Sequence, residues 1–262
     1  QKTAYEIPKR DWSSDVCSSD LTGLRAHMSA QAAIANNMAN ASTTGFRADR
    51  VVFDRIMLSD GTTAISARQP TSEEIRDADR SPGAMQQTGR PLDVAVEGRD
   101  AWLTVQAADG SEAYTRRGDL SVSASGTLQT GDGFLVMGQS GPITLPPYQS
   151  LTIAADGSIS IIPQGDANAA PQVIDKLKLA SSKGSDTVKG LDNLMRVRGG
   201  GVLPDDLEAK VASGSLEGSN VNMTQALVDM IENQRSYEVQ ANLLKEARTM
   251  DESSAQLMRV ES

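Results

Sequence analysis

No glycine or proline interrupts the chain from Met223 to its last residue, so this stretch can fold into one helix and little else. At 1.5 Å per residue it makes roughly ten turns. Its mostly apolar positions, Met223, Leu227, Met230, Gln234, Tyr237, Ala241 and Leu244, recur at alternating spacings of four and three. That pattern draws a narrow seam, as on a coiled-coil face, rather than the broad stripe of a helix lying on a globular core. Asn222, at the end of the loop-like Leu216–Asn222, is a suitable N-cap.

The other end carries a matching seam. Leu24, Met28, Gln31, Ala35 and Met38 keep the same spacing. They run into Asn36-Asn37-Met38-Ala39-Asn40-Ala41-Ser42-Thr43-Thr44-Gly45-Phe46, where polar side chains compete for the backbone and Gly45 permits a left-handed stop. Asn36, Asn37 and Asn40 are too polar for a plain core helix and need acceptors, in adjacent helices or in the turn. Neither helix has enough large apolar residues to stand alone. The economical expectation is that the two ends pair with each other and with copies in neighbouring subunits.

Between the ends the texture changes. Val51, Val52, Phe53 and Ile56 predict a short helix or strand after the Gly45 turn, and residues 57–89 read as an extended polar linker with a strand starting at Met85. From Pro91 onward short alternating segments are punctuated by Asp109-Gly110, Ser125-Gly126, Asp132-Gly133 and Asp156-Gly157. Such pairs between alternating runs are hairpin signals, so residues 90–200 predict an antiparallel all-β domain. Lys176–Leu179 and Leu194–Val197 add two strands, and Gly199-Gly200-Gly201 opens a linker over 201–218. The fold class expected is α+β, with terminal helices, over 22–56 and 219–262, pairing as a coiled-coil-like bundle and a central β domain.

Composition excludes several functions. A net charge of −9 argues against nucleic acid as a partner, and no apolar run is long enough for membrane insertion. Aromatics are 3% of the chain, so the core rests on Val, Leu, Ile and Ala. Gln1–Ile7 and Asp11–Leu21 match in-frame translations of sequencing-library adapter, so residues 1–21 are expected to be a non-native leader. Cys17 would then be foreign, and the first turns of the opening helix would be lost. With one histidine, His27, and no native cysteine, no zinc site or nucleophile triad can be assembled. His27 is expected to pack or to sit on the surface. The acidic pairs Asp205-Asp206 and Glu73-Glu74 lie in polar loops, and the Asp-Gly pairs have turn spacing rather than the spacing of a calcium loop. No enzyme, cofactor or metal is expected.

The run Asn36–Arg47 resembles the N-terminal motif NNLANxxTxGF of the bacterial flagellar axial proteins, the rod and hook family, with Met38 in place of the commoner Leu. Leu216-Glu217-Gly218-Ser219-Asn220-Val221-Asn222 before a long helix resembles that family's second motif. The likeness runs from Thr22 to Ser262. Segments such as Arg90–Ala95, Trp102–Gln106, Asp109–Arg116 and Ile153–Gly157 resemble the proximal rod branch, with the distal rod as runner-up and the hook, whose outer domain is larger, less similar. The resemblance implies a subunit of the rod that crosses the periplasm, transmits torque and surrounds the export channel. It also implies partners, namely copies of itself, other rod proteins and the flagellar type III export apparatus, and export without a cleaved signal peptide. The assembly interface is then expected at Leu24, Met28, Ala35, Asn36, Asn37, Met38, Asn40, Gly45, Phe46, Asn220, Met223, Leu227, Met230, Tyr237 and Leu244. The rival from another class, a secreted β-domain hydrolase or adhesin, needs a cleft with paired acids, for which the sequence offers no pair.

Overall fold

A computed structural model describes residues 12–53, 74–165 and 170–260. Residues 57–73, and positions 1–11 of the adapter-like leader, lie outside that description. Two units result: a mainly helical one that also takes Val51–Ile75, and a β unit of Asn36–Arg50 and Arg76–Met223.

The helical unit holds α1 (Trp12–Ala39) through Ala35 and α2 (Met223–Val260) from Thr224. α1 extends back through the adapter-like positions as far as Trp12. The two helices meet antiparallel. His27 faces Asn233 and, one turn back along α1, Gly23 lies so close to α2 that a Cβ there would fall 2.1 Å from Gln240 Nε2. The less exposed positions of α2 are Ala226, Asp229, Met230, Asn233, Tyr237, Gln240, Ala241, Leu244 and Ala247, a face that advances by threes and fours. This is the predicted seam turned by about half a residue step. Met230, Tyr237, Ala241 and Leu244 lie on both the predicted seam and this face. Met223 (43% exposed), Leu227 (46%) and, on α1, Met28 (59%) and Ala35 face outward instead. The reason is chemical: Asn233 Nδ2 donates to the His27 carbonyl at 2.9 Å, and that polar bond turns inward a face that apolar counting leaves out. Among the described residues no helix is long and apolar enough to cross a membrane.

The strand order begins with β1 (Asp49–Phe53), β2 (Glu74–Ala78), β3 (Met85–Gln87), β4 (Val94–Val96), β5 (Ala101–Gln106) and β6 (Glu112–Thr115). It continues with β7 (Ser121–Val122), β8 (Leu128–Gln129), β9 (Leu135–Val136), β10 (Tyr148–Ile153), β11 (Ser158–Pro163) and β12 (Gln172–Lys176). It ends with β13 (Leu179–Ser181), β14 (Thr187–Lys189), β15 (Met195–Val197), β16 (Val211–Ser213) and β17 (Ser215–Glu217). The main sheet runs β14-β15-β6-β5-β9-β8-β7 with β13 alongside β5, and β10-β11-β12 form a second antiparallel sheet. β5 is buried on both faces: Leu103 joins the large aliphatic core of Val94, Leu128, Ile143, Ile159 and Leu177, while Trp102 joins Tyr114, Ala180 and Met195 on the other side.

All four turn signals make hairpins of one kind. Gly110, Gly126, Gly133 and Gly157 have φ of 82° to 87°, and each amide bonds back to the carbonyl three residues earlier. This is a type I turn closed by a left-handed glycine. In two of them the aspartate is fastened by the following serine. Hydrogen bonds from Ser111 to Asp109 and from Ser158 to Asp156 hold both carboxyls below 3.8, and Arg196, bidentate at 2.9 and 2.6 Å, does the same for Asp192. Depressed folded-state values mean that this stability is complete above 3.8 and is lost as pH falls below it. Thermal melts taken from about pH 5 down to about pH 3 are therefore expected to show a falling midpoint.

Three readings differ from the sequence expectation, and a fourth is narrowed. Lys176–Leu179 is split between β12 and β13, because Leu177 turns into the aliphatic core. Residues 201–218 are built into the β unit: Leu203 is buried, β16 pairs with β4 and β17 pairs with β3. Within 57–89, residues 74–78 and 85–87 are strands, the second close to the predicted start at Met85. Of the ambiguous run Val51–Ile56, residues up to Phe53 are strand, and Ile56 lies outside the described residues.

Candidate assembly site

The asparagine run closes on itself within the β unit. Asn36 Nδ2 donates to Asp49 Oδ2 at 2.6 Å, Asn37 Nδ2 donates to the Asp49 carbonyl at 3.0 Å, and Asn37 Oδ1 accepts the Asp49 amide at 2.7 Å. Asn40 Nδ2 bonds back to the Asn36 carbonyl and Oδ1. The asparagines thus tie the turn together. The other oxygen of Asp49 accepts from Lys189 Nζ at 2.7 Å; Lys189 also donates to the Arg47 carbonyl and lies 3.6 Å from the centre of the Phe46 ring. An ammonium between a carboxylate, a carbonyl and a π-face is well compensated for its burial. Gly45, at φ 68°, and Phe46, 3% exposed, are therefore held inside the unit.

Next to this lies a buried knot of charge that sequence reasoning missed. Glu217, 1% exposed, takes Arg47 Nη2 at 2.7 Å on Oε1 and Arg116 Nη1 at 3.1 Å on Oε2. Oε1 also accepts the Gly83 amide at 2.8 Å, and Arg116 donates to the carbonyls of Val96 and Gly98. Both guanidiniums lie over the Trp102 ring, at 5.9 and 5.2 Å from its centre, and the indole N–H donates to Ser182 Oγ at 2.9 Å. Two cations share one carboxylate. Burial accordingly pushes the Arg116 guanidinium down to about 10, helped by Arg47 and opposed by Glu217. Arg47 and Glu217 stand inside the two quoted motifs, but a lone charge in a motif reads as surface until its partner, far along the chain, is known.

Asn220 finishes the closure. Its Oδ1 accepts the Ala48 amide at 2.7 Å and its Nδ2 donates to the Asp79 and Ser81 carbonyls at 2.9 and 3.0 Å. Of the expected interface residues, Asn36, Asn37, Asn40, Gly45, Phe46 and Asn220 thus come together inside one unit.

Comparison with known proteins fits this arrangement at both ends and in the middle. Family models match residues 20–47 (Flagella basal body rod protein), 95–161 (Flagellar hook protein FlgE/F/G D1 domain) and 212–257 (Flagellar basal body rod FlgEFG protein C-terminal). The chain is 41% identical over 220 residues to the flagellar basal-body rod protein FlgF of Salmonella typhimurium and equally to that of Escherichia coli, covering 82% of this chain and 86% of each relative. The chain belongs to the flagellar basal-body rod protein family. It is also 30% identical to the FlgG rod protein of Bacillus subtilis, over 92% of this chain and 97% of that one.

The rod protein's remaining expected residues lie on α1 and α2, with Met38 and Met223 at the helix ends that belong to the β unit. Leu24, Met38, Met230, Tyr237 and Leu244 are half-buried, whereas Met28, Ala35, Met223 and Leu227 are exposed. Further exposed apolar side chains on α2 are Val228, Ile231, Val239, Leu243 and Met250. His27 has a definite role: since Asn233 Nδ2 donates to the His27 carbonyl, Asn233 Oδ1 must accept the proton of His27 Nδ1, at 2.7 Å. Among the described residues no group of three or more His, Cys, Asp or Glu could hold a metal ion.

Proposed function

We propose that this structural rod subunit polymerises through its terminal helices, which pair in coiled-coil fashion with those of neighbouring copies and other rod proteins. The tube they build is the axial drive shaft of the flagellar basal body. It surrounds the export channel, with the β unit outside, and the chain reaches it through the type III export apparatus. The proximal rod is its place, supported by the higher identity to FlgF than to FlgG. The observation that carries the reading is the apolar surface left open on α2. Leu227 is 46% exposed, Ile231 57% and Leu243 60%, on a helix otherwise rich in charge. Covering one such leucine fully is worth about 1.5–3 kcal/mol, and a long helix can repeat that gain many times in a polymer.

Replacing Leu227 and Leu243 by Asp tests this. Both side chains are open on the single chain, so the variant's helix content by circular dichroism is expected to stay unchanged. Swimming, and rods isolated from a strain lacking its own FlgF, are expected to be lost. Unimpaired motility would remove the helix faces from the interface. Rescue of a strain lacking FlgG in place of one lacking FlgF would move the chain to the distal rod.

A further inference from the structure

We infer that the two terminal segments of the β unit, residues 45–49 and 211–220, form a single locking element that opens and closes as one piece. Neither can dock without the other. The inference concerns the β unit alone and stands whether or not the helices assemble as proposed.

The segments are about 170 residues apart in sequence yet depend on each other for their hydrogen bonds and charges. The Gly45 amide donates to the Glu217 carbonyl at 2.7 Å, the Asn220 amide to the Phe46 carbonyl at 3.3 Å, and the Ala48 amide to Asn220 Oδ1 at 2.7 Å. Glu217 neutralises Arg47 of the first segment and Arg116 of the main sheet. If the C-terminal segment leaves, Arg47 and Arg116 are left buried around Trp102 with no carboxylate between them. If the N-terminal segment leaves, Glu217 keeps Arg116 and Asn220 Nδ2 keeps the Asp79 and Ser81 carbonyls, but Asn220 Oδ1, the Asn220 amide and the Glu217 carbonyl lose their partners. Breaking one side of such a buried set strands the other, so partial opening is the costly route and joint opening the cheap one.

The element meets the main sheet mostly through polar ties, Glu217 to Arg116 and Lys189 to Asp49 and the Arg47 carbonyl. Among the described residues its ladders are the two short pairs β16–β4 and β17–β3, three residues each, and of its side chains Val211 alone joins the aliphatic core that spreads under β4, β5, β8 and β10–β11. Few apolar contacts and short ladders are the marks of a segment that opens below the free energy of global unfolding. Glycines admit the close approach: a Cβ at Gly83 would lie 2.0 Å from the Gly218 carbonyl oxygen. Because the chain passes from these segments directly into α1 and α2, the lock commits both chain ends together.

Hydrogen exchange on the full-length protein reads this out. Peptides covering 45–50 and 211–222 are expected to share one protection factor, lower than that of peptides from β5 and β6. Asn220→Ala, which touches both segments without removing a charge, is expected to lower that factor roughly tenfold in both peptides alike. Leu128→Ala, buried in the main core, is expected to speed exchange of β5 and β6 while leaving the two terminal peptides unchanged. The inference fails if Asn220→Ala speeds only the 211–222 peptide. It fails equally if Leu128→Ala speeds the terminal peptides together with the sheet, since the segments would then open only with the whole unit.

Discussion

Replacing Glu217 by Ala is expected to cost about 3–5 kcal/mol, the usual price of stripping the counterion from buried charge. In a domain of this size that lowers the thermal midpoint by on the order of 10 °C. Among the described residues Glu217 is the one carboxylate bonded to both Arg47 and Arg116, and it also holds the Gly83 amide. The three members of the knot should rank in a definite order. Arg47→Met is expected to cost least, because Glu217 keeps Arg116 and because Arg47 Nε and Nη1 make no hydrogen bond to give up among the described residues. Arg116→Met should cost more, since it also orphans the carbonyls of Val96 and Gly98. Glu217→Ala, leaving two cations facing each other, should cost most. Calorimetry or denaturant melts of the three variants settle the order, and a Glu217→Ala midpoint indistinguishable from the parent's would refute the compensating role given to this carboxylate.

Gly45→Ala is expected to be nearly as severe, at about 2–5 kcal/mol, although it adds a single methyl group. Two costs combine. The residue sits at φ 68°, where a Cβ is unfavourable, and that Cβ would lie 2.4 Å from the Arg116 carbonyl carbon and the Arg117 amide nitrogen. The obstructing atoms are backbone of the segment that carries Arg116 into the knot, so they cannot swing away as a side chain would. A control at Gly110, also left-handed but with nothing within 4 Å of its Cβ position, should show the conformational cost without the clash. Equal losses at Gly45 and Gly110 would show that the close approach contributes nothing.

Local chemistry was legible wherever it acts over a few residues. Four turn pairs were enough to place four hairpins, because a left-handed glycine three residues after a carbonyl closes the same turn whatever surrounds it. The start of α2 at Met223 followed from Asn222 and the lack of any breaker beyond it. The helix seams were legible in period but not in phase. A four-three pattern repeats on every face of a helix that mixes apolar and polar residues, and bonds such as those between Asn233 and His27 choose among the faces.

The assembly residues divide along the same line. Asn36, Asn37 and Asn40 could be recognised as needing acceptors, but Asp49, which receives two of them, carries no mark in the sequence. Glu217 and Arg47 looked like ordinary charged residues of a loop and a turn. Their burial, the Arg116 that also pairs with Glu217 and the Trp102 ring beside them depend on segments brought together from far apart in the chain.

The sequence by itself determined the order helix, β domain, helix and the family motifs at the two ends. These rest on residue type and on spacings of a few positions. Only the tertiary structure decided which helix face is covered, that residues 201–218 belong to the β unit, and that the two motifs lock each other through Glu217 and Asn220. A hydrogen bond or an ion pair acts over about 3 Å in space, whatever number of residues lies between its partners.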